Sequence, residues 1–195
     1  MRLTGFALLV LFAPLTHAAA ETGQAAAPAA QSLRYEAKEH YRFNLGGDSG
    51  FYTDWERSDL DGFEGVTTTI LIEKSYGKPT DKWASLARIN LIGPGEGKDR
   101  PRLSLIIEVD RKTNVAEASI SRGSDKPREG FDVKLPVAKP FTVNILPNAP
   151  GKLLVSFDKA TYEVPSDFDV KGISAAGSGI DVKFEPFNLL RRVAP

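Results

Sequence analysis

The clearest pattern in the chain is an alternation of apolar and polar residues between Val137 and Leu190. A period of two places the two sets of side chains on opposite faces of a β-strand. We therefore predict four strands in this stretch, all contributing to one core. Their apolar positions are Phe141, Val143 and Ile145, then Leu153, Val155 and Phe157, then residues around 161–164, and finally Ile180, Val182 and Phe184.

The same alternation recurs earlier in the chain, separated by turn-forming residues. It is strongest at Leu103, Leu105, Ile107 and Val109. Weaker strand patterns cover residues 41–45, 66–74, 86–92, 116–120 and 131–135, whereas residues 35–40 fit either a strand or a helical turn. No segment shows a helical stripe of ten residues or more. About ten short strands predict an all-β fold, an antiparallel two-sheet β-sandwich or jelly roll. Seven apolar residues are predicted to be buried in its core: Leu105, Ile107, Val143, Val155, Phe157, Val182 and Phe184.

The N-terminal segment differs in composition from the rest of the chain. Arg2, an apolar stretch at residues 6–15 and the small residues near Ala20 predict a signal peptide over residues 1–20. Residues 21–32 are rich in alanine and predict a flexible leader. We expect a single β-sandwich domain over residues 33–195, and a periplasmic or extracellular location in a bacterium.

Charge and composition narrow the classes of partner. The chain has 25 basic and 25 acidic residues, and removing Arg2 leaves one basic residue fewer than acidic ones. The basic and acidic residues are interspersed along the chain. This balance argues against nucleic acid as the main partner. No segment after the signal region is apolar for long enough to predict a membrane span. The chain has no cysteine, which excludes disulfides and a cysteine nucleophile.

A resemblance to a known family appears in the order of the later elements. A Gly/Pro break at residues 93–97 precedes a long alternating strand, a five-residue turn and a second strand. The segments F-T-V-N-I, K-L-L-V-S-F-D and G-I-D-V-K-F-E-P-F-N-L-L follow. Over residues 41–190 this order resembles the concanavalin A-like lectin/glucanase sandwiches, which include laminin-G, lectin and polysaccharide-lyase domains. The resemblance implies a last strand paired beside the first strand, and it favours glycan binding.

The inventory of catalytic residues is small. His40 is the only histidine after the signal region, and no G-x-S-x-G motif is present. Glucanases of the resembled family carry E-x-D-x-E or E-x-D-x-x-E, whereas Glu108-Val109-Asp110 supplies only the first two acids. The Q-x-H strand and the tyrosine-rich late strand of the related lyases are absent. These departures do not favour catalysis, and they leave a glycoside hydrolase or lyase as an alternative.

The polar face of the middle strands is the main candidate site. If the apolar positions of these strands face the core, a row of polar side chains faces the other way. Arginine, asparagine, glutamate and serine are suitable partners for sugar hydroxyls. The alternative is the ordinary solvated face of an antiparallel sheet. The candidate residues are Arg88, Asn90, Arg102, Glu108, Glu117 and Ser119.

The irregular segment of residues 46–65 suggests two further candidates. Tyr52 and Trp55 could form a platform on which a sugar ring stacks, or Trp55 and Phe63 could close one end of the sandwich. Asp54, Asp59 and Asp61 could converge on calcium, because that ion prefers several oxygen ligands from one loop. They could equally be solvated turn residues.

We therefore expect a secreted, non-catalytic protein that binds a carbohydrate or another ligand. One alternative is a polysaccharide-cleaving enzyme of the same fold, and a second is a structural or protein-interaction module of the cell envelope. Apart from calcium, no cofactor is expected. The ligand and the oligomeric state are left open by the sequence.

Overall fold

A computed structural model describes residues 34–48, 52–77, 84–97, 99–123, 128–158 and 160–193. The predicted signal peptide and leader lie outside these residues. The described residues form twelve strands and no helix: β1 Arg34–Gly46, β2 Tyr52–Arg57, β3 Val66–Ser75, β4 Ser85–Ile92, β5 Arg102–Asp110, β6 Val115–Arg122, β7 Glu129–Pro136, β8 Phe141–Ala149, β9 Lys152–Phe157, β10 Ala160–Pro165, β11 Gly172–Ser178 and β12 Ile180–Val193.

The strands form two antiparallel sheets of six strands each. Sheet A has the order β1-β12-β3-β8-β9-β10, and sheet B has the order β2-β11-β4-β5-β6-β7. The predicted all-β sandwich is confirmed. β12 pairs with β1 along most of its length, so the expected pairing of the last strand with the first is also confirmed. Residues 35–40 belong to β1, which decides between the strand and the helical turn in favour of the strand.

The core lies between the inner faces of the two sheets. All seven residues predicted to be buried are at most 2% exposed. A register shift in β12 adds two large rings to this core, because it occurs between Phe184 and Phe187 and lets both side chains point inward despite their odd spacing. Such bulges commonly redirect side chains in this way.

Two strands were missed by the sequence analysis. β2 lies inside the segment interpreted as an irregular loop. β11, with the sequence GISAAGS, lies between β2 and β4 in sheet B and is buried along its whole length. Its residues are small and mostly not β-branched, so it shows neither strong strand propensity nor an alternation. Only its position between two neighbouring strands makes it a strand.

Candidate functional site

The outer face of sheet B, which points away from sheet A, carries the predicted polar residues of β4, β5 and β6. Arg88 lies opposite Ile106, which lies opposite Ser119. Glu108 lies directly opposite Glu117 on the neighbouring strand. The alternation along each strand therefore places all six candidates of the middle strands on this face.

The centre of this face is a buried row of hydrogen-bonded polar side chains. Asn90 donates from Nδ2 to the Oγ atom of Ser174 at 2.8 Å, and it accepts at Oδ1 from Ser104 at 2.7 Å. Asn90 is only 4% exposed. A buried amide whose donor and acceptor are both satisfied is a structural link between strands. Asn90 therefore joins β4 to β5 and β11, and the polar side chains in this part of the face are buried rather than open to a ligand or to solvent.

The pairing of β6 with β7 is interrupted next to Glu117 and Ser119. Glu117 pairs with Lys134 and Ser119 pairs with Gly130, so three residues of β7 lie opposite Ala118 alone. β7 therefore bulges away from β6 at this point. Bulges occur often beside binding sites because they re-aim side chains and open the sheet.

A cavity of about 330 Å³ lies at this bulge. We call it the bulge cavity. Its lining combines carboxylates, one hydroxyl and one aromatic ring: Glu108, Asp110, Glu117, Ala118, Ser119, Gly130 and Phe131. Phe131 is half-buried and packs against Tyr162 and Phe157, with ring centroids 4.6 Å and 5.5 Å away. The ring is thus held in place from the core side.

Two ion pairs flank the bulge cavity. Arg128 Nη1 lies 2.5 Å from Glu108 Oε2, and the Lys134 ammonium donates to Glu117. This hydrogen bond to Glu117 raises the pKa of Lys134. Two carboxylates directly opposite each other on adjacent strands repel, and the two cations offset that repulsion. The edge of the bulge cavity therefore presents both hydrogen-bond acceptors and charged hydrogen-bond donors.

The third carboxylate of the bulge cavity is engaged in the β5–β6 turn. Asp110 accepts from the backbone N–H of Lys112 and from the hydroxyl of Thr113, both at 2.8 Å. The bond from the Lys112 amide, followed by the bond from Thr113, holds the pKa of Asp110 below its usual value. Asp110 therefore shapes the turn and also lines the cavity.

The remaining candidates on the outer face of sheet B lie away from this cavity. Arg88 and Arg102 are half-buried on β4 and β5, and neither lines the bulge cavity. The structure thus brings together Glu108, Glu117 and Ser119 from the predicted set. It leaves Arg88, Arg102 and Asn90 nearer the middle and the opposite end of the sheet.

The candidates of residues 46–65 do not form one site. Trp55 contacts Tyr41 and Phe43, with ring centroids 4.7 Å and 5.0 Å away, and it also meets Phe187. Trp55 therefore packs at the β1/β2 edge of the core. Tyr52 begins β2 opposite Ser178, and its side chain lies outside the described part of the structure.

The predicted calcium ligands are also separated. Asp54 lies on β2 opposite Ala176, whereas Asp59 and Asp61 lie in the connection that follows β2. Within the described residues, no group of three or more histidine, cysteine, aspartate or glutamate side chains could hold a metal ion. The structure therefore does not bring Asp54, Asp59 and Asp61 together as one group of ligands.

Sequence analysis missed the ring of Phe131 in the lining and the two cations that flank the cavity, Arg128 and Lys134. One signal was available, because Gly130 lies inside a strand, and a strand glycine often marks a bulge. The bulge itself depends on the register between β6 and β7, which a single sequence does not display.

The two antiparallel six-stranded sheets form a β-sandwich of the jelly-roll type. Among solved structures, the alginate lyase from Alteromonas sp. 272 is 8% identical and matches with a TM-score of 0.51, over 79% of this chain and 88% of that one. The carbohydrate recognition domain of Emp46p, in a potassium-bound form, is 14% identical with a TM-score of 0.50, over 81% and 87%. No protein-family model and no curated protein matches this chain. Identities this low show the fold alone.

The part of the chain that the structure describes contains no helix that is long and apolar enough to cross a membrane.

Proposed function

We propose that this chain is an exported carbohydrate-binding protein and that its glycan lies in the bulge cavity. The observation that carries the proposal is the lining of this cavity, where an aromatic ring lies among carboxylates and a hydroxyl. Its volume of about 330 Å³ lies within the range of roughly 300–1,000 Å³ that is usual for small-ligand sites. The signal-peptide pattern of residues 1–20 supports the export part of the proposal.

The chemistry of the lining suits a sugar better than an apolar ligand. A pyranose ring has an apolar face that can lie against Phe131, while its hydroxyls can donate to Glu108 and Glu117. Ser119 can both donate and accept. Arg128 and Lys134 can donate to ring and hydroxyl oxygens, so each kind of polar group on a sugar has a partner nearby.

Binding is favoured over cleavage by the state of the two opposed glutamates. A glycosidase needs two free carboxyl groups that flank the scissile bond. Here the carboxylate of Glu108 is paired with Arg128 and that of Glu117 with Lys134, so in this arrangement neither group is a free acid or nucleophile. The enzyme remains the second candidate because the two acids lie on neighbouring strands.

A glycan array followed by calorimetry on the parent protein and three variants tests the proposal. The array identifies a binding glycan, and calorimetry measures its Kd. We expect Glu117→Gln and Ser119→Ala each to weaken binding about tenfold, because each removes roughly one hydrogen bond to a charged or polar group. Phe131→Leu should weaken binding similarly, because leucine preserves apolar packing but has no ring face.

Glu73→Gln is the matched control. Glu73 forms a similar ion pair with Lys183 at 2.5 Å, on sheet A, and we expect its Kd to equal that of the parent. The proposal is wrong if no glycan binds, or if Glu73→Gln weakens binding as much as Glu117→Gln does. Release of oligosaccharides from a bound polysaccharide would instead support the enzyme.

A further inference from the structure

A second and larger cavity lies at the other end of the sandwich. Its volume is about 570 Å³, and it shares no residue with the bulge cavity. It lies where β8, β9 and β10 approach the connection between β10 and β11. We call it the end cavity, and its lining is Phe63, Pro147, Ala149, Gly151, Lys152, Leu153, Ser166, Asp167, Phe168, Asp169 and Val170.

The connection that forms one wall of the end cavity is anchored at both ends. The Ser166 N–H donates to the Gly151 carbonyl oxygen at 2.8 Å, and the Lys171 N–H donates to the Ile92 carbonyl oxygen at 2.8 Å. The Lys171 carbonyl oxygen in turn accepts from the Leu60 N–H at 2.9 Å. The backbone of residues 166–171 is therefore fixed at both ends where it crosses the end of the sandwich.

Phe168 is fixed within this wall by close contact with the backbone. A Cβ atom on Gly93 would lie 2.9 Å from Phe168 Cδ2 and 2.9 Å from Pro101 Cβ. Only glycine allows the ring to approach this closely. Together with Phe63, Phe168 gives the cavity two aromatic walls, and Leu153 and Val170 form a buried apolar floor.

The charges of the end cavity do not balance. Lys152 is already bound, since its Nζ atom lies 2.6 Å from Glu163 Oε1. Asp167 and Asp169 are exposed, and within the described residues neither carboxylate has a hydrogen bond or an ion pair. Two uncompensated carboxylates beside two aromatic rings favour a cation, which the carboxylates attract directly and which also binds favourably to ring faces.

We propose that the end cavity binds a small molecule carrying a protonated amine next to an apolar face. The amine lies between the carboxylates of Asp167 and Asp169, and the apolar face lies against Phe63 and Phe168. The volume of the cavity matches that of small-ligand sites. This site does not depend on the glycan proposed for the bulge cavity, and the two sites are tested separately.

Two matched pairs of probes test the inference by calorimetry on the exported protein. 2-Phenylethylamine and 2-phenylethanol share a ring and a chain length, but only the amine is charged. Glucosamine and glucose differ in the same way, by an amine in place of a hydroxyl, but on a sugar ring. We expect the amine of at least one pair to bind at least tenfold more tightly than its alcohol. The pair whose amine binds more tightly shows whether the cavity accepts an aromatic ring or a sugar ring.

Variants connect the preference for the amine to the cavity. Asp167→Asn and Asp169→Asn should each weaken amine binding at least fivefold and leave alcohol binding unchanged. Asp54→Asn, which changes an exposed carboxylate outside the cavity, should have no effect. Added salt should weaken binding of the amine more than binding of the alcohol, because the attraction is between charges. Equal binding of amine and alcohol in both pairs, or equal effects of Asp54→Asn and Asp167→Asn, would overturn the inference.

Discussion

At the scale of single residues, a hydrogen-bonded link joins the two sheets at the β1/β2 edge. The Tyr41 hydroxyl donates to Glu39 on the same strand, and Arg57 Nε of β2 donates to Glu39 Oε2 at 3.3 Å. The bond from Tyr41, assisted by Arg57, holds the pKa of Glu39 below its ordinary value. Burial, and then the bond to Glu39, raises the pKa of Tyr41.

These shifts predict how the link responds to pH. A lowered pKa in the folded state stabilises the protein above the ordinary value of 4.5, and this stabilisation disappears as the pH falls through the folded-state value. Tyr41→Phe keeps the ring against Trp55 and removes the donor. We expect it to lower the free energy of unfolding by about 1 kcal/mol at neutral pH, and by less as the pH falls below 4.5.

Urea unfolding of Tyr41→Phe and Tyr162→Phe across acidic pH tests this prediction. The Tyr162 hydroxyl donates to the backbone carbonyl oxygen of Asp132 at 2.9 Å, and a backbone carbonyl does not titrate. The loss caused by Tyr162→Phe should therefore stay nearly constant. The same pH dependence in both variants would contradict the role assigned to Glu39.

At the scale of elements, β11 shows why small residues occupy the middle of sheet B. A Cβ atom on Gly177 would lie 3.1 Å from Val182 Cγ1 and 3.4 Å from Leu45 Cβ. The φ angle of Gly177 is not positive, so its backbone conformation is open to other residues. Space, rather than backbone conformation, therefore requires glycine at this position.

A substitution series at strand glycines tests that conclusion. Gly177→Val should destabilise the protein by about 1–3 kcal/mol or more, because extra methyl groups in a packed core force neighbours to move. Gly130→Val is the control, because a Cβ atom there would have no neighbour within 4 Å and valine favours strands. Denaturant unfolding measures both variants, and an equal loss at the two glycines would show that packing around β11 is not the cause.

At the scale of the whole molecule, Phe157 connects the two sheets. It is 2% exposed, lies on β9 of sheet A and contacts the ring of Phe131 on β7 of sheet B. Tyr162 on β10 contacts both of these rings. This aromatic group closes the β7/β10 edge of the sandwich and also supports the ring that lines the bulge cavity.

Removing the Phe157 ring should therefore affect the whole fold. We expect Phe157→Ala to lower the free energy of unfolding by about 3–5 kcal/mol, through lost burial and the cavity that remains. Leu154→Ala on the same strand is the control, because Leu154 faces outward and is only half-buried. Its loss should be less than half as large, as measured by urea unfolding. Comparable losses in the two variants would mean that the core contact of Phe157 adds little.

The sequence by itself determined the fold class, the inward phase of most strands and seven buried core residues. This was possible because a period of two is a local property of the chain, and burying one face of each strand leaves few other arrangements. It also indicated that Glu108, Glu117 and Ser119 share a face, since they are at outward positions of strands joined by a short turn.

Only the tertiary structure decided which of these polar residues line a cavity. The side chains of Asn90 and Glu108 both lie on the outer face of sheet B. Asn90 belongs to a buried row of hydrogen-bonded side chains, whereas Glu108 lines a cavity. The difference arises from the β6/β7 register and from β11, whose small residues are strand-forming only between two neighbours. Both depend on contacts between segments far apart in sequence, and periodicity along one strand carries no information about such contacts.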